Sequence, residues 1–444
     1  MKNNRENFGS SLAMILAMAG SAIGLGNLWR FPFLVGQNGG AAFIIVYILA
    51  CALLALPIFF AEYIIGRRSR SNCFGAMDKL APGSKWKWVG LLTVITPIVV
   101  LGYYSVVGGW SIDYTWKACT GALTHDTNGL FGGFISQVWE PVITHTLFVL
   151  ASALIILLGV KKGIEKFSKV AMPILFVLII VIAVFGLTLP GAMKGVEYLV
   201  KPDFSRLNTG SIAAAMGQAF FSMSLGVGAI LIYASYSPEQ ENIVGSGLGT
   251  AGSDLLFAIL AGFAIMPAVF SAGIQPGEGP GLVFDTLPFI FSKMNPVTGT
   301  VIAIMFFVTV LAAALTSSIS LLEVGVSYLM EEKGMSRVKG TVILSLIIWV
   351  VGILCSLSFG PLAGVKILGL TMFDLLDKLC SNFLMPLGGL LFVLFVGWKM
   401  SKADVRDEFT SGGTRNVRLF SLVYFLMRYV APAGIVLVFI TALL

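Results

Sequence analysis

Ala19-Gly-Ser-Ala-Ile-Gly-Leu-Gly-Asn-Leu-Trp-Arg-Phe-Pro-Phe33 lies inside an apolar run long enough to cross a bilayer, yet it undermines its own helix. Gly24 and Gly26 weaken the middle, Asn27 and Arg30 are polar, and Pro32 has no N–H to give the preceding turn. Within lipid, unwound backbone is stable only where protein buries it or where it lines a cavity. The half-helices on either side of such a break present N–H groups that suit an anion and carbonyls that suit a cation. The stretch therefore reads as a binding site inside a membrane helix.

The rest of the chain agrees. Of 444 residues, 57% are hydrophobic and 11% charged, against roughly a quarter charged in soluble domains. Apolar stretches of about 20 residues recur throughout. They predict eleven spans, at 11–36, 41–66, 88–117, 142–160, 167–189, 211–236, 244–272, 297–330, 340–359, 367–398 and 419–443. No small-residue cleavage site follows the first run, so it reads as a span and not as a signal peptide. With the N-terminus in the cytoplasm, cytoplasmic segments carry twenty Lys and Arg and external segments six. That asymmetry predicts a cytoplasmic N-terminus and, after eleven crossings, an extracytoplasmic C-terminus. The net charge of +7 is then a topology signal with anionic-lipid contact, and no nucleic-acid motif accompanies it. The five cysteines show no metal spacing, and only Cys119 falls in an external loop.

A second break lies in span six. Residues 217–236 read Gly-Gln-Ala-Phe-Phe-Ser-Met-Ser-Leu-Gly-Val-Gly-Ala-Ile-Leu-Ile-Tyr-Ala-Ser-Tyr, and Gly226-Val227-Gly228 repeats the Gly24-Leu25-Gly26 spacing. Either pair alone would serve equally for close helix packing. Two glycine-interrupted spans five crossings apart run in opposite directions, which is the pattern of an inverted-repeat transporter with a midplane site. The halves so defined are 1–200, spans one to five, and 201–400, spans six to ten, with 401–444 adding a cytoplasmic connection and span eleven. The Gly- and Pro-rich segment 273–296 reads as an external loop able to act as a lid.

These residues resemble the neurotransmitter:sodium symporters. The family signature Gly-Leu-Gly-Asn-x-x-Arg-Phe-Pro occupies Gly24 to Pro32, with Asn-Gly-Gly at 38–40, Phe-Phe-x-x-Ser-Leu-Gly at 220–226, Tyr-Ala-Ser-Tyr at 233–236 and Leu-Thr-Ser-Ser at 315–318. The motifs keep a consistent order from about residue 5 to 430, and eleven spans match the shorter bacterial branch. The resemblance implies an all-α, five-plus-five inverted repeat in a bacterial plasma membrane, coupling sodium entry to amino-acid uptake. It implies a first sodium held by the Ala22 carbonyl, Asn27, Ser222, Asp254 and the substrate carboxylate. A second sodium would take carbonyls of Gly20, Ile23 and Ala313 with the hydroxyls of Thr316 and Ser317. Oxygen ligands suit such a hard cation, although Thr-Ser-Ser spacing alone would equally serve helix–helix hydrogen bonding.

Asp254 departs from the family's bacterial leucine transporter, which has an amide there and a glutamate four residues on, where this chain has Ala258. A carboxylate at mid-membrane costs roughly 2.5–3.5 kcal/mol and should face a cation or a proton. Direct neutralisation of the first sodium would make chloride unnecessary; protonation on the empty return step would give proton counter-transport, and both stay open here.

The resemblance also implies a substrate carboxylate on the Leu25 and Gly26 N–H groups and the Tyr104 hydroxyl, and an ammonium near carbonyls of Ala22, Phe221 and Ser222. The side-chain pocket would be Gly24, Val100, Phe221, Ser224, Val227, Ser317 and Leu321. Val227 stands where the leucine transporter has phenylalanine, which predicts a bulky apolar or aromatic L-amino acid; a small aliphatic substrate or an amino-acid sensor is the alternative. Arg30 and Asp377, with Asp374 one turn away, would close an outer gate above Tyr104 and Phe221. Arg5 and Glu331, with Phe8, Ser235 and Tyr236, would form the inner gate. Glu62 would hold the break in span six by accepting N–H bonds. An intramembrane enzyme has no support, since His-Glu-x-x-His and Gly-x-Ser-x-Gly are both missing.

Overall fold

Nothing in the chain is better placed to report its solvent than its outermost helices, which turn Leu147, Leu150, Leu154, Val177, Val181, Val184, Leu346 and Val350 outward. Asn27, Glu62, Asp254, Thr316 and Ser317 lie inside instead. Such an inside-out distribution suits lipid. The structure, a computed structural model, describes residues 6–238, 241–274 and 281–443.

Nine helices among the described residues are long and apolar enough to cross a membrane. They are Ala41–Ser69, Lys87–Cys119, Trp139–Leu157, Val160–Leu187, Ile243–Ser271, Pro296–Lys333, Arg337–Leu357, Met372–Lys399 and Val417–Thr441. Span one is a bent pair, Ser11–Ala22 and Gly26–Gln37, turned by 56°. Span six is also broken, into Thr209–Ser222 and Ala229–Ser235. Together these elements follow the order of the eleven apolar runs. Span four ends at Leu157 and span five starts at Val160, so the basic stretch 161–169 is helix and not a loop.

The prolines explain much of the local geometry. A proline ring inside a helix clashes with the carbonyl four residues back and removes a hydrogen bond. Five turns in the described residues widen to a π pattern ending two residues before a proline: Gly26–Arg30 before Pro32, Cys51–Ala55 before Pro57, Leu282–Thr286 before Pro288, Cys380–Leu384 before Pro386 and Leu426–Val430 before Pro432. Widening relieves the clash without ending the helix.

Spans one and six occupy the centre. Span one packs on spans five, seven and eight, and the two halves of span six pack on spans two, eight and eleven. The long spans three and eight lie against one another beside both breaks. The expected external lid is partly a packed helix: Leu282–Ser292 buries Leu282, Val283, Phe284 and Leu287, and Phe284 sits 5.1 Å from Tyr114 and 5.8 Å from Trp110, ring to ring. Its apolar content outweighed the flanking glycines and prolines; residues 275–280 fall outside the described ones.

Candidate functional site

The break in span one runs through Ile23–Leu25, where Ile23 leaves the helical region at ψ 104°. Gly24 is required there by space: a Cβ would lie 2.6 Å from Ser317 Oγ and 3.2 Å from the Tyr104 hydroxyl. The break in span six contains three positive φ angles, at Ser224, Gly226 and Gly228. At Gly226 (φ 78°) a Cβ would also meet the Met385 carbonyl at 2.0 Å, so span ten lies directly on the unwound backbone. Glu62 Oε1 accepts the Gly226 N–H at 2.7 Å. Span two thus supplies an acceptor to a donor that the break has released.

Asn27, Ser222 and Asp254 converge where spans one, six and seven meet. Asn27 Nδ2 donates to Asp254 Oδ1 at 2.8 Å, and Ser222 Oγ lies 2.8 Å from both Asp254 oxygens. Asn27 Oδ1 accepts the Gly24 N–H at 3.4 Å. Sequence reasoning missed Tyr47, whose hydroxyl donates to Asp254 Oδ2 at 3.2 Å from span two. A tyrosine hydroxyl in an apolar span was its only advance signal. A second oxygen cluster lies between spans one and eight. Ser317 Oγ is 3.4 Å from the carbonyls of Gly20 and Ile23 and 3.1 Å from that of Ser21. Thr316 Oγ1 donates to the Ala313 carbonyl at 2.9 Å, and its side chain packs against Gly20.

Between these clusters is a small chamber of about 30 Å³. Its lining comprises all twelve residues expected around a substrate: Ala22, Gly24, Leu25, Gly26, Val100, Tyr104, Phe221, Ser222, Ser224, Val227, Ser317 and Leu321. It adds Met385, which nothing in the apolar pattern of span ten distinguished. The Tyr104 hydroxyl is buried without a hydrogen-bond partner. The Ser224 hydroxyl, by contrast, donates to the Ser21 carbonyl at 2.7 Å and serves the backbone.

A wider cavity of about 320 Å³ lies above, and Tyr104 and Phe221 belong to both linings. Arg30 and Asp377 face this upper cavity, and the Arg30 guanidinium stands 4.9 Å over the Phe221 ring. No ion pair joins Arg30 to Asp377 in the described residues; Asp377 accepts from Ser381 at 3.1 Å. Asp374 is bonded to Thr371 at its own helix start, at 2.8 Å. On the opposite side the Phe8 N–H donates to the Tyr236 carbonyl at 3.0 Å, and the Phe8 ring meets Tyr233 edge-on at 5.7 Å. Ser235 Oγ is turned to the Ile232 carbonyl. Tyr236 donates to Glu323 at 2.8 Å, and Glu323 pairs with Arg337 at 2.7 Å. Glu331 accepts from the Asn72 N–H at 2.8 Å, and Arg5 lies outside the described residues.

The chain matches the Sodium:neurotransmitter symporter family over residues 5–131 and 133–444. It belongs to that family. Among its relatives, a sodium-dependent transporter of Bacillus subtilis, YhdH, is 41% identical over 435 residues, covering 97% of this chain and 96% of that one. A sodium-dependent transporter of Haemophilus influenzae is 34% identical over 454 residues, covering 99% and 98%. The crystal structure of MhsT in complex with L-phenylalanine superposes with a TM-score of 0.91 at 43% identity, over 99% of this chain and all of that one. This symporter is therefore a multi-pass, sodium-dependent membrane transporter and not an enzyme.

Proposed function

We propose that this symporter imports a bulky apolar or aromatic L-amino acid by alternating access, driven by two sodium ions and without chloride. The observation that carries the amino-acid reading is the Tyr104 hydroxyl, buried and unpaired in the chamber beside Gly24. A buried donor without a partner is unfavourable by about 1–3 kcal/mol, and a substrate carboxylate on the Leu25 and Gly26 N–H groups would satisfy it. The ammonium then meets carbonyls of Ala22, Phe221 and Ser222. Val100, Val227, Leu321 and Met385 leave an apolar end for the side chain, in keeping with the L-phenylalanine named for the MhsT structure.

The first sodium sits among Ala22, Asn27, Ser222 and Asp254, and the second among Gly20, Ile23, Ala313, Thr316 and Ser317. Asp254 supplies the charge for which another member would need an anion. Tyr104 and Phe221 close over the substrate, Arg30 and Asp377 draw together above them, and Arg5, Phe8, Ser235, Tyr236 and Glu331 part on the other side. The residues 1–200 and 201–400 act as the two inverted halves, in a bacterial plasma membrane with the N-terminus in the cytoplasm. Sodium-gradient uptake into proteoliposomes, with all twenty amino acids as competitors and gluconate replacing chloride, tests the reading. Phenylalanine, tyrosine or tryptophan should compete best and gluconate should not slow uptake. Preference for glycine or alanine, a chloride requirement, or binding without flux would overturn it.

A further inference from the structure

A cationic cluster far from the chamber, where span ten meets span eleven, has no use in the transport cycle described above. Gly397 lets the two helices approach so closely that a Cβ there would lie 3.1 Å from Arg428 Cα. Trp398 Nε1 donates to the Arg428 carbonyl at 3.1 Å. The Arg428 guanidinium is stacked among three rings, 4.5 Å from the centroid of Trp398, 5.6 Å from Tyr429 and 6.0 Å from Tyr424. Lys402 Nζ reaches the same Tyr424 ring, at 5.5 Å. For hydrogen bonding Arg428 has the Tyr424 hydroxyl at 3.3 Å, while its Nε is buried with no partner.

A guanidinium on a membrane span needs a counter-charge, and among the described residues the chain supplies none here. The carboxylates of the nearby Lys402–Thr410 helix are committed elsewhere: Asp404 and Asp407 to Arg68, and Glu408 to Arg67. An anion from outside the chain would fill that need. Its surroundings say which kind. Trp398 and Tyr429 are 57% and 49% exposed, and Leu422 and Phe425 are exposed on the same span, so the site opens onto the lipid belt at a tryptophan–tyrosine interface. We propose that Arg428 and Lys402 hold the headgroup phosphate of an anionic phospholipid in the leaflet bordering the 400–416 connection, with Trp398 and Tyr429 flanking the glycerol and upper acyl chain. The guanidinium offers planar paired donors to phosphate oxygens, and the ammonium adds a point charge.

Native mass spectrometry of the full chain, purified in detergent with equal phosphatidylglycerol and phosphatidylcholine, would test this. The wild type should retain phosphatidylglycerol preferentially. One basic group near an anionic headgroup contributes about 1 kcal/mol, so Arg428→Gln should reduce the preference about fivefold. Arg418→Gln, an exposed cation earlier on the same span, should leave it unchanged. Equal retention by wild type and Arg428→Gln, or an equal loss in Arg418→Gln, would overturn the proposal in favour of bulk surface charge. Should Arg428→Gln fail to fold, Lys402→Gln, on an exposed side chain, carries the test: a loss of similar size supports the site and no loss refutes it.

Discussion

Replacing Asp254 by asparagine would remove one negative charge from the expected first sodium site and leave its shape almost intact. Asp254 is 1% exposed, and its side-chain partners Asn27, Ser222 and Tyr47 are all neutral donors, so within its own contacts the carboxylate has no counter-charge until a cation arrives. A unit charge about 4 Å from a cation, at an effective dielectric constant of about 20, contributes about 4 kcal/mol. Desolvation of both ions cancels part of that. If half survives, about 2 kcal/mol remains, equivalent to a sodium affinity weakened roughly 30-fold. Ser222 and Tyr47 can rotate their hydroxyls to accept from the new amide, so the fold should hold. Sodium titrations of substrate binding, in gluconate and again in chloride, would measure the effect. The variant should bind sodium 10- to 100-fold more weakly, within the spread of that estimate, and chloride should recover part of the loss in the variant alone. Unchanged sodium affinity in a variant that melts like the wild type would refute the charge-balance reasoning.

Four further substitutions probe other parts of the site. Ser317→Ala removes a hydroxyl that lies within 3.4 Å of three span-one carbonyls, and should flatten the sodium dependence of uptake toward a single-ion curve. Gly24→Ala places a methyl 2.6 Å from Ser317 Oγ; overpacking of about 1–3 kcal/mol predicts KM raised roughly 5- to 150-fold in uptake assays. Val227→Phe fills the apolar end of the chamber, and competition assays should show the preference moving from aromatic to smaller aliphatic amino acids. Glu62→Ala leaves the Gly226 N–H buried without its acceptor, which should lower stability by about 1–3 kcal/mol in thermal unfolding.

The two breaks were legible because lipid tolerates no casual defects. Glycines, an asparagine and a proline in one apolar run conflict with a continuous helix, and only a buried function reconciles them. The length of the apolar runs made the spans legible for the same reason. What stayed hidden came from positions that carry no local conflict of their own. Tyr47 and Met385 are ordinary residues of apolar runs, and their importance depends on which neighbour the fold brings to them: Asp254 for one, the bare backbone of Gly226 for the other. Contacts of that kind are set by helix crossing and not by local pattern. The Leu282–Ser292 helix was missed for a different reason: in the sequence, neighbouring glycines and prolines drew the reading toward a loop, whereas the fold buries Leu282, Val283, Phe284 and Leu287. The widened turns lie between the two cases. Each proline in a span announced a local disturbance, but whether a helix kinks, ends or merely widens is decided by packing: Pro97, Pro173 and Pro267 stand in α-helical turns, whereas five others follow widened ones. Backbone conflict is thus a sequence property, while the side chain that resolves it belongs to the tertiary structure. Glu62 on Gly226 joins the two, a charge out of place in one span answering a break in another.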